Sequence, residues 1–313
     1  MAYKTVFYAL GTENTITVED DYCANVLADI IERVFEIEAK MSSFKAESEI
    51  SLISQSAGVS PIKVSGDVYN VLEKALEMGD ASGGAFDITV KPLTALWNFG
   101  RGTDIIPDKS QLDAAKAVVG YINLKLDPDE HTAFLFKNGS SIDLGGIAKG
   151  YAADEAKRIL LKNGIENALI NFGGNVYAVG NDFDKTPWQI GIQNPLSTRG
   201  ESVLTLDVTN KSVVTSAVNE RFFIKDGIRY HHIISPLTGS PAQNGLLSVT
   251  IISQSSIIAD ALSTAIFVLG IDKGMELIRK YKSNAVLITE KGDILTTLKL
   301  SPIIKRAEQK PET

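Results

Sequence analysis

The sequence predicts an α+β fold, and three observations carry that reading. Helical patterns and antiparallel hairpin signals intermingle along the chain without a regular βα alternation. No internal period suggests a solenoid. A chain of 313 residues with 44% hydrophobic side chains can bury a substantial core.

The opening TVFYALGTENTITV reads as strand, turn, strand, and DYCANVLADIIERVFEIEAKMS follows with apolar residues three and four apart, the spacing of an amphipathic helix. VSGDVYNVLEKALEMGDASGG is a second helix, with polar residues at its entry and glycines closing it. AFDITVKPLTALWNFG carries Pro92 and resists a simple assignment; SQLDAAKAVVGY predicts a short helix. The stretch from Leu124 to Gly164 predicts a hairpin turning at Lys137-Asn138-Gly139, a glycine-rich bend and a third long helix. ENALINFGGNVYAVG, WQIGIQNP, SVLTLDV, SVVTSA and ERFFIKDGIRYHHIIS predict a run of strands, with Asp226-Gly227 marking a hairpin. SIIADALSTAIFVLGIDKGMELIRKY supplies helical segments, and NAVLITEKGDILTTLKL closes with another hairpin. Residues 1–305 are expected to form one domain and 306–313 a frayed tail.

With 38 acidic against 31 basic side chains, a net charge of -7 and a pI near 5.2, the chain has no basic stripe to neutralise a phosphate backbone, which argues against nucleic acid as a partner. Cys23 is the only cysteine and sits at helical spacing, so an intrachain disulfide is impossible. No run approaches the roughly 20 apolar residues of a membrane helix, and the best candidate is broken by Asp260. The first residues lack the basic segment, apolar block and cleavage site of a secretory signal, so the chain as it stands is expected in the cytoplasm. A chain trimmed of its leader, and hence extracytoplasmic, would read the same.

Several stretches could carry chemistry. In SIDLGGIAKGYAADEAKRIL, Asp143 precedes Gly145, Gly146 and Gly150, with Lys149 at the mouth of a helix. Such a turn brings backbone close to a phosphate or sugar, or simply makes a tight connection; it matches neither the phosphate loop of nucleotide hydrolases nor the dinucleotide fingerprint. Asp260 and Thr264 in ADALSTA are four apart, hence on one face of a helix, where their oxygens could share a magnesium ion. The alternative makes Asp260 a helix-start carboxylate and Thr264 a buried side chain. His231 and His232 alternate in a strand, so one ring can face a cleft while the other faces sheet or solvent. Phe44 could stack on a planar ring or plug a core, and Asp87 could bind a ligand or cap a turn. No nucleophile elbow or triad is present.

Taken together and in order, ALGT, MSSFKAESEIS, GGAFDITVKPL, IDLGGIAKGYAAD, NFGGNVYAVG, HHIISPLTG and ADALSTAIFVLG resemble the ApbE family, the FAD:protein FMN transferases, from about residue 7 to residue 300. The resemblance implies two interlocked α/β lobes in a single ApbE-type domain, with FAD as substrate in the cleft between them. By position, Leu10, Phe44, Ala85, Phe86, Asp87, Asp143, Lys149 and Ile234 would line the flavin nucleotide, Phe44 standing where the family commonly has a stacking Tyr. Gly146 would offer its carbonyl to Mg2+, with side-chain oxygens from Asp260 and Thr264 and with Ser263 close by. His232 is the histidine that matches the family's turn, and His231 is surplus. The family usually has Asp where this chain has Ser235, so the charge and any cap a carboxylate supplies are expected to be missing.

The implied activity is magnesium-dependent transfer of FMN from FAD to a Ser or Thr hydroxyl of an acceptor protein, forming a phosphoester and releasing AMP. His232 would handle the hydroxyl proton and Lys149 would offset phosphate charge. The alternatives are an FAD pyrophosphatase that gives FMN and AMP, and a non-catalytic flavin-binding protein.

Overall fold

Alternating polar and apolar residues in YKTVFYA and TENTITV form β1 (Tyr3–Ala9) and β2 (Thr12–Val18), an antiparallel hairpin whose inner positions Asn14, Ile16 and Val18 are buried. The computed structural model describes residues 2–20, 23–99, 104–197, 200–297 and 304–306. Helix α1 (Ala24–Met41) buries Leu27, Ile30, Val34, Ile37 and Met41, one residue per turn. Next come α2 (Glu49–Gln55), β3 (Ile62–Lys63), α3 (Gly66–Ala81), α4 (Lys91–Trp97) and α5 (Lys109–Lys116). They are followed by β4 (Leu124–Asp127), β5 (Thr132–Leu135) and α6 (Ala148–Lys162). A run of strands then appears: β6 (Ala168–Phe172), β7 (Asn175–Val179), β8 (Trp188–Gln193), β9 (Ser202–Val208), β10 (Lys211–Ala217), β11 (Phe222–Lys225), β12 (Ile228–His231) and β13 (Leu246–Ser253). Helices α7 (Ser256–Leu269) and α8 (Ile271–Lys280) precede β14 (Asn284–Thr289), β15 (Ile294–Thr296) and β16 (Ile304–Arg306).

Eight strands form one antiparallel sheet in the order β1-β2-β6-β7-β10-β13-β14-β15. Its middle strands are apolar on both faces because both faces are covered. Val214, Ile251 and Leu287 join the helices in one cluster, while their neighbours Val213, Ile252 and Ile288 join Trp188, Ile190, Leu204 and Leu206 from the small sheet β16-β9-β8. A further sheet, β3-β5-β4, lies with α2 and α3, and its Ala133 and Leu135 share a buried cluster with Ile16 and Leu287 of the large sheet. The two bodies are therefore interlocked through a common core, and the α+β expectation holds. Among the described residues no helix is long and apolar enough to cross a membrane.

The structure differs from the sequence reading, or fills a gap in it, at five places. The hairpin read as turning at Lys137-Asn138-Gly139 turns instead at 128–131, where Asp127 Oδ1 accepts hydrogen bonds from Asp129 N and Glu130 N, both at 3.0 Å. The stretch with Pro92 contains α4, whose first turn holds the proline where its missing N–H costs nothing. Glu49–Gln55, to which the sequence pattern assigns no element, is a helix capped by Ser48 Oγ, which accepts from Ser51 N at 3.0 Å. Strand β13, buried along nearly its whole length and so without polar alternation, lies outside the predicted run of strands; it pairs with β10 and β14 in mid-sheet. In the segment read as a tail, Arg306 pairs with Leu204, and 307–313 lie outside the described residues.

Candidate functional site

The glycine bend before α6 and the middle of α7 meet in the core. A Cβ on Gly146 would lie 3.1 Å from Thr264 Oγ1 and 3.3 Å from a ring carbon of Phe86, so a bare backbone is what fits between them. Asp143 anchors the bend: its N–H donates to Ile88 O at 2.7 Å, and its Oδ1 accepts from Gly145 N at 2.8 Å. Four residues on, Gly150 packs so closely on the start of α7 that its N–H donates to Asp260 Oδ2 at 2.9 Å. Lys149 reaches back to Gly145 O at 3.0 Å.

Asp260 is 4% exposed, and burial pushes its carboxyl up, against the favourable charge of Lys149, the Gly150 N–H and the Asn175 amide. Asn175 Nδ2 lies near without making a hydrogen bond among the described residues. Ser263 Oγ donates to Asp260 O at 2.9 Å, and Ser216 Oγ lies 2.8 Å from Ser263 Oγ and 3.4 Å from Thr264 Oγ1. Gly146, Asp260, Ser263 and Thr264, named from the sequence as the metal-site candidates, are thus brought together.

No three His, Cys, Asp or Glu side chains converge as a metal cluster among the described residues. A cation here would be held by one carboxylate with hydroxyl and carbonyl oxygens. That donor set suits a hard ion that keeps waters and substrate phosphates as its other ligands, so magnesium fits these residues. The physical reason is a buried carboxylate with one N–H donor, whose desolvation the charge of Lys149 does not outweigh.

Ala85 and Phe86 are buried after a Gly83-Gly84 turn with φ of 59° and 83°. Asp87 is engaged by the fold: Oδ1 accepts from Thr89 N and Thr89 Oγ1, both at 2.7 Å, and Oδ2 from Tyr121 N at 2.8 Å. Its carboxylate has little left for a ligand, although its backbone remains near Phe86. Leu10 sits in the left-handed region, φ 55°, in the β1–β2 turn, and its N–H donates to Glu38 Oε1 at 2.8 Å. Lys45 contacts the other oxygen of Glu38 at 2.8 Å, which draws the Leu10 turn and the Phe44 loop together. Phe44 is 78% exposed beside a cavity of about 310 Å³ that is also lined by Ser51, Ser54, Gln55 and Lys91. Lys91 Nζ donates to Ser43 O at 2.6 Å and so ties that loop to the element that follows Asp87. A Phe plugging the core is excluded by this exposure.

The two histidines separate as alternation requires. His231 is buried, its Nε2 2.9 Å from Ala242 O, its Nδ1 accepting from Ile233 N, and its ring edge-on to Phe267 of α7. His232 is held through its backbone N–H to Arg221 O at 3.0 Å, and its Nδ1 is shut off from solvent with no partner among the described residues. Burial, aided by the charges of His231, Arg221 and Lys149, lowers its pKa to about 4. The ring is neutral near pH 7, with a free nitrogen. Ile234 packs with Leu93, Trp97 and Phe223, so only its backbone is available to a ligand.

Ser235 corrects one expectation. Its Oγ accepts from Thr238 N at 3.4 Å while its backbone closes the turn with Gly239 N and Ser240 O, so the cap survives in weaker form and only the charge is lost. Sequence reasoning missed Glu38, Lys91, Ser216 and Asp154. Asp154 accepts from Ser256 N at 2.9 Å, Ile257 N at 3.0 Å and Ser255 Oγ at 3.1 Å, capping α7 from α6. Its place in IDLGGIAKGYAAD was the available signal.

The ApbE family model matches residues 10–288 of the chain. The chain is 34% identical over 296 residues to the FAD:protein FMN transferase of Treponema pallidum, covering 89% of this chain and 82% of that protein. It is 35% identical to the FAD:protein FMN transferase of Klebsiella pneumoniae, with 87% of each covered. Among solved structures, the ApbE protein of Thermotoga maritima superposes with a TM-score of 0.88 at 32% identity, over 98% of this chain and 100% of that one. The Vibrio cholerae flavin transferase ApbE superposes with a TM-score of 0.85 at 28% identity, over 97% and 100%.

Proposed function

The chain belongs to the ApbE family, and on that premise we propose that it moves FMN from FAD to a Ser or Thr hydroxyl of an acceptor protein, assisted by magnesium and releasing AMP. The observation that carries the reading is the contact of the Gly146 bend with Thr264 beside the buried Asp260 carboxylate.

When bound by the Gly146 carbonyl, Asp260 and Thr264, with Ser263 close by, magnesium would draw negative charge off the pyrophosphate oxygens of FAD. Lys149 offsets further phosphate charge, which a protein of net charge -7 must do locally. Phe44 offers an exposed ring for stacking, and Leu10, Ala85, Phe86, Asp87, Asp143 and Ile234 complete the lining, the buried ones through backbone. His232, neutral and with an unpartnered nitrogen, accepts the acceptor's hydroxyl proton or orients that hydroxyl. The hydroxyl oxygen bonds to the phosphorus on the riboflavin side, the bond from that phosphorus to the bridging oxygen breaks, and AMP departs. The product is a phosphoester.

The test is incubation with FAD, magnesium and a candidate acceptor, followed by intact-mass measurement. A gain of one FMN with stoichiometric AMP is expected. Free FMN and AMP beside an unmodified acceptor would make the protein a pyrophosphatase, and intact FAD would make it a carrier.

A further inference from the structure

A second cavity, about 350 Å³, opens between the loop after β8 and the β11–β12 ribbon; its lining includes Pro195, Leu196, Asn219, Phe222 and Arg229. Nothing in the nucleotide reading uses it. Two of its polar groups are buried without a hydrogen-bond partner among the described residues: Arg229 Nη1, a donor, and Asn219 Oδ1, an acceptor. The Arg229 guanidinium is fixed 4.5 Å over the Phe222 ring, so the donor is held in place rather than waving in solvent. Buried polar groups of opposite sense in one cavity call for a ligand that brings an acceptor and a donor together. A peptide main chain does so at every amide. The apolar share of the lining, from Leu196 and Phe222, both exposed, suits one side chain of such a segment.

The cavity also lies close to the candidate site along the chain. Ser216 touches Ser263 and approaches Thr264, and Arg221 O holds the backbone of His232; Asn219 lies between them, three residues from one and two from the other. Three extended residues span at most about 11 Å, which is also the reach of about three residues of a bound strand. We propose that this cavity is the acceptor subsite, taking an extended segment of the acceptor protein by a main-chain amide two to four residues from the modified hydroxyl. The C=O of that segment accepts from Arg229 and an N–H donates to Asn219, with an apolar side chain resting against Phe222 and Leu196. The inference rests on the transferase reading.

The test uses the full chain, FAD, magnesium and an array of 15-residue peptides, each with a central Ser or Thr, read by bound flavin fluorescence. For the peptides modified best, Arg229→Met and Asn219→Ala are each expected to raise the peptide KM at least tenfold, leaving kcat and the FAD dissociation constant within twofold. Methylating the peptide N–H that pairs with Asn219 should raise KM similarly with the unaltered protein and have little further effect with Asn219→Ala. An unchanged KM in both variants, or an undiminished methylation effect in Asn219→Ala, would overturn the subsite. A parallel loss of FAD affinity would assign the cavity to the nucleotide, leaving the transferase reading in place. Cleavage of FAD with no peptide modified would overturn that reading and the subsite together.

Discussion

Gly150→Ala sets two effects of opposite sign against each other. Inside a helix, replacing Gly by Ala ordinarily gains about 1 kcal/mol. Here the new Cβ would fall 2.4 Å from Ser256 O and 2.7 Å from Ile257 Cα, both backbone atoms of α7 that no rotamer change can move. Restoring ordinary contact requires α6 and α7 to part by about 1 Å, which stretches the 2.9 Å bond from Gly150 N to Asp260 beyond hydrogen-bonding range. Overpacking costs about 1–3 kcal/mol and the lost bond to a buried carboxylate about 1.5–3, so the net loss is about 1.5–5 kcal/mol after the helix gain of about 1. Urea denaturation measures it, with Gly66→Ala as control, because Gly66 also lies in a helix but has open space at its Cβ position. The control should be neutral or stabilised, and Gly150→Ala should also lose magnesium-dependent FAD cleavage. Equal stability of the two variants would refute the close apposition of α6 and α7.

Three other perturbations test the site and its support. Asp260→Ala is expected to abolish magnesium-dependent turnover, by at least a hundredfold, while FAD still binds; equilibrium dialysis with a turnover assay separates the two, and unchanged turnover would remove Asp260 from the metal site. His232→Ala should bind FAD and transfer slowly. Because burial lowers the His232 pKa to about 4 from 6.5, the stability its neutral ring contributes is full above pH 6.5 and falls as pH drops toward 4, and the transfer rate should stay level down to about pH 5. Denaturation curves across that window should flatten in His232→Gln. Asp67, which accepts from Arg33, Lys40 and Tyr151 and is held by the Arg33 guanidinium well below the usual carboxylate range, joins α3 to α1 and to the turn of α6 after Lys149. Asp67→Asn should cost about 2–3 kcal/mol in urea denaturation, since it leaves a half-buried Arg33 short of charge, and unaltered stability would remove the network from the fold's support.

Long periodic segments were legible because their burial repeats with the element: one residue per turn in α1, every second residue in β2. The Asp226-Gly227 turn was legible because both residues must adopt positive φ, 53° and 75°, which that pair tolerates. Asn138-Gly139 offers the same local cue and misled, since the cross-strand register of Leu124–Asp127 with Thr132–Leu135 outweighs it. The strand order of the large sheet and the meeting of Gly146 with Thr264 depend on tertiary packing, for which no local pattern exists. Backbone contributors are hidden for a related reason: Ile234 and Ala85 look like core residues because their side chains are core residues.

Counting hydrogen bonds separates the carboxylates that the motifs alone could not. Burial raises the pKa of Asp87, Asp154 and Asp260 alike. Asp87 and Asp154 each accept three hydrogen bonds among the described residues, one holding the loop before α4 and the other the start of α7, which offset part of their desolvation within the fold. Among the described residues the Asp260 carboxylate accepts one, from Gly150, while Ser263 Oγ donates to its backbone O and Thr264 lies one turn on beside the Gly146 bend. A carboxylate that deeply buried and that sparsely matched, with the charge of Lys149 outweighed by desolvation, holds its charged form far better beside an added cation. The under-satisfied member of the three is therefore Asp260, the one whose charge balance an added cation would complete.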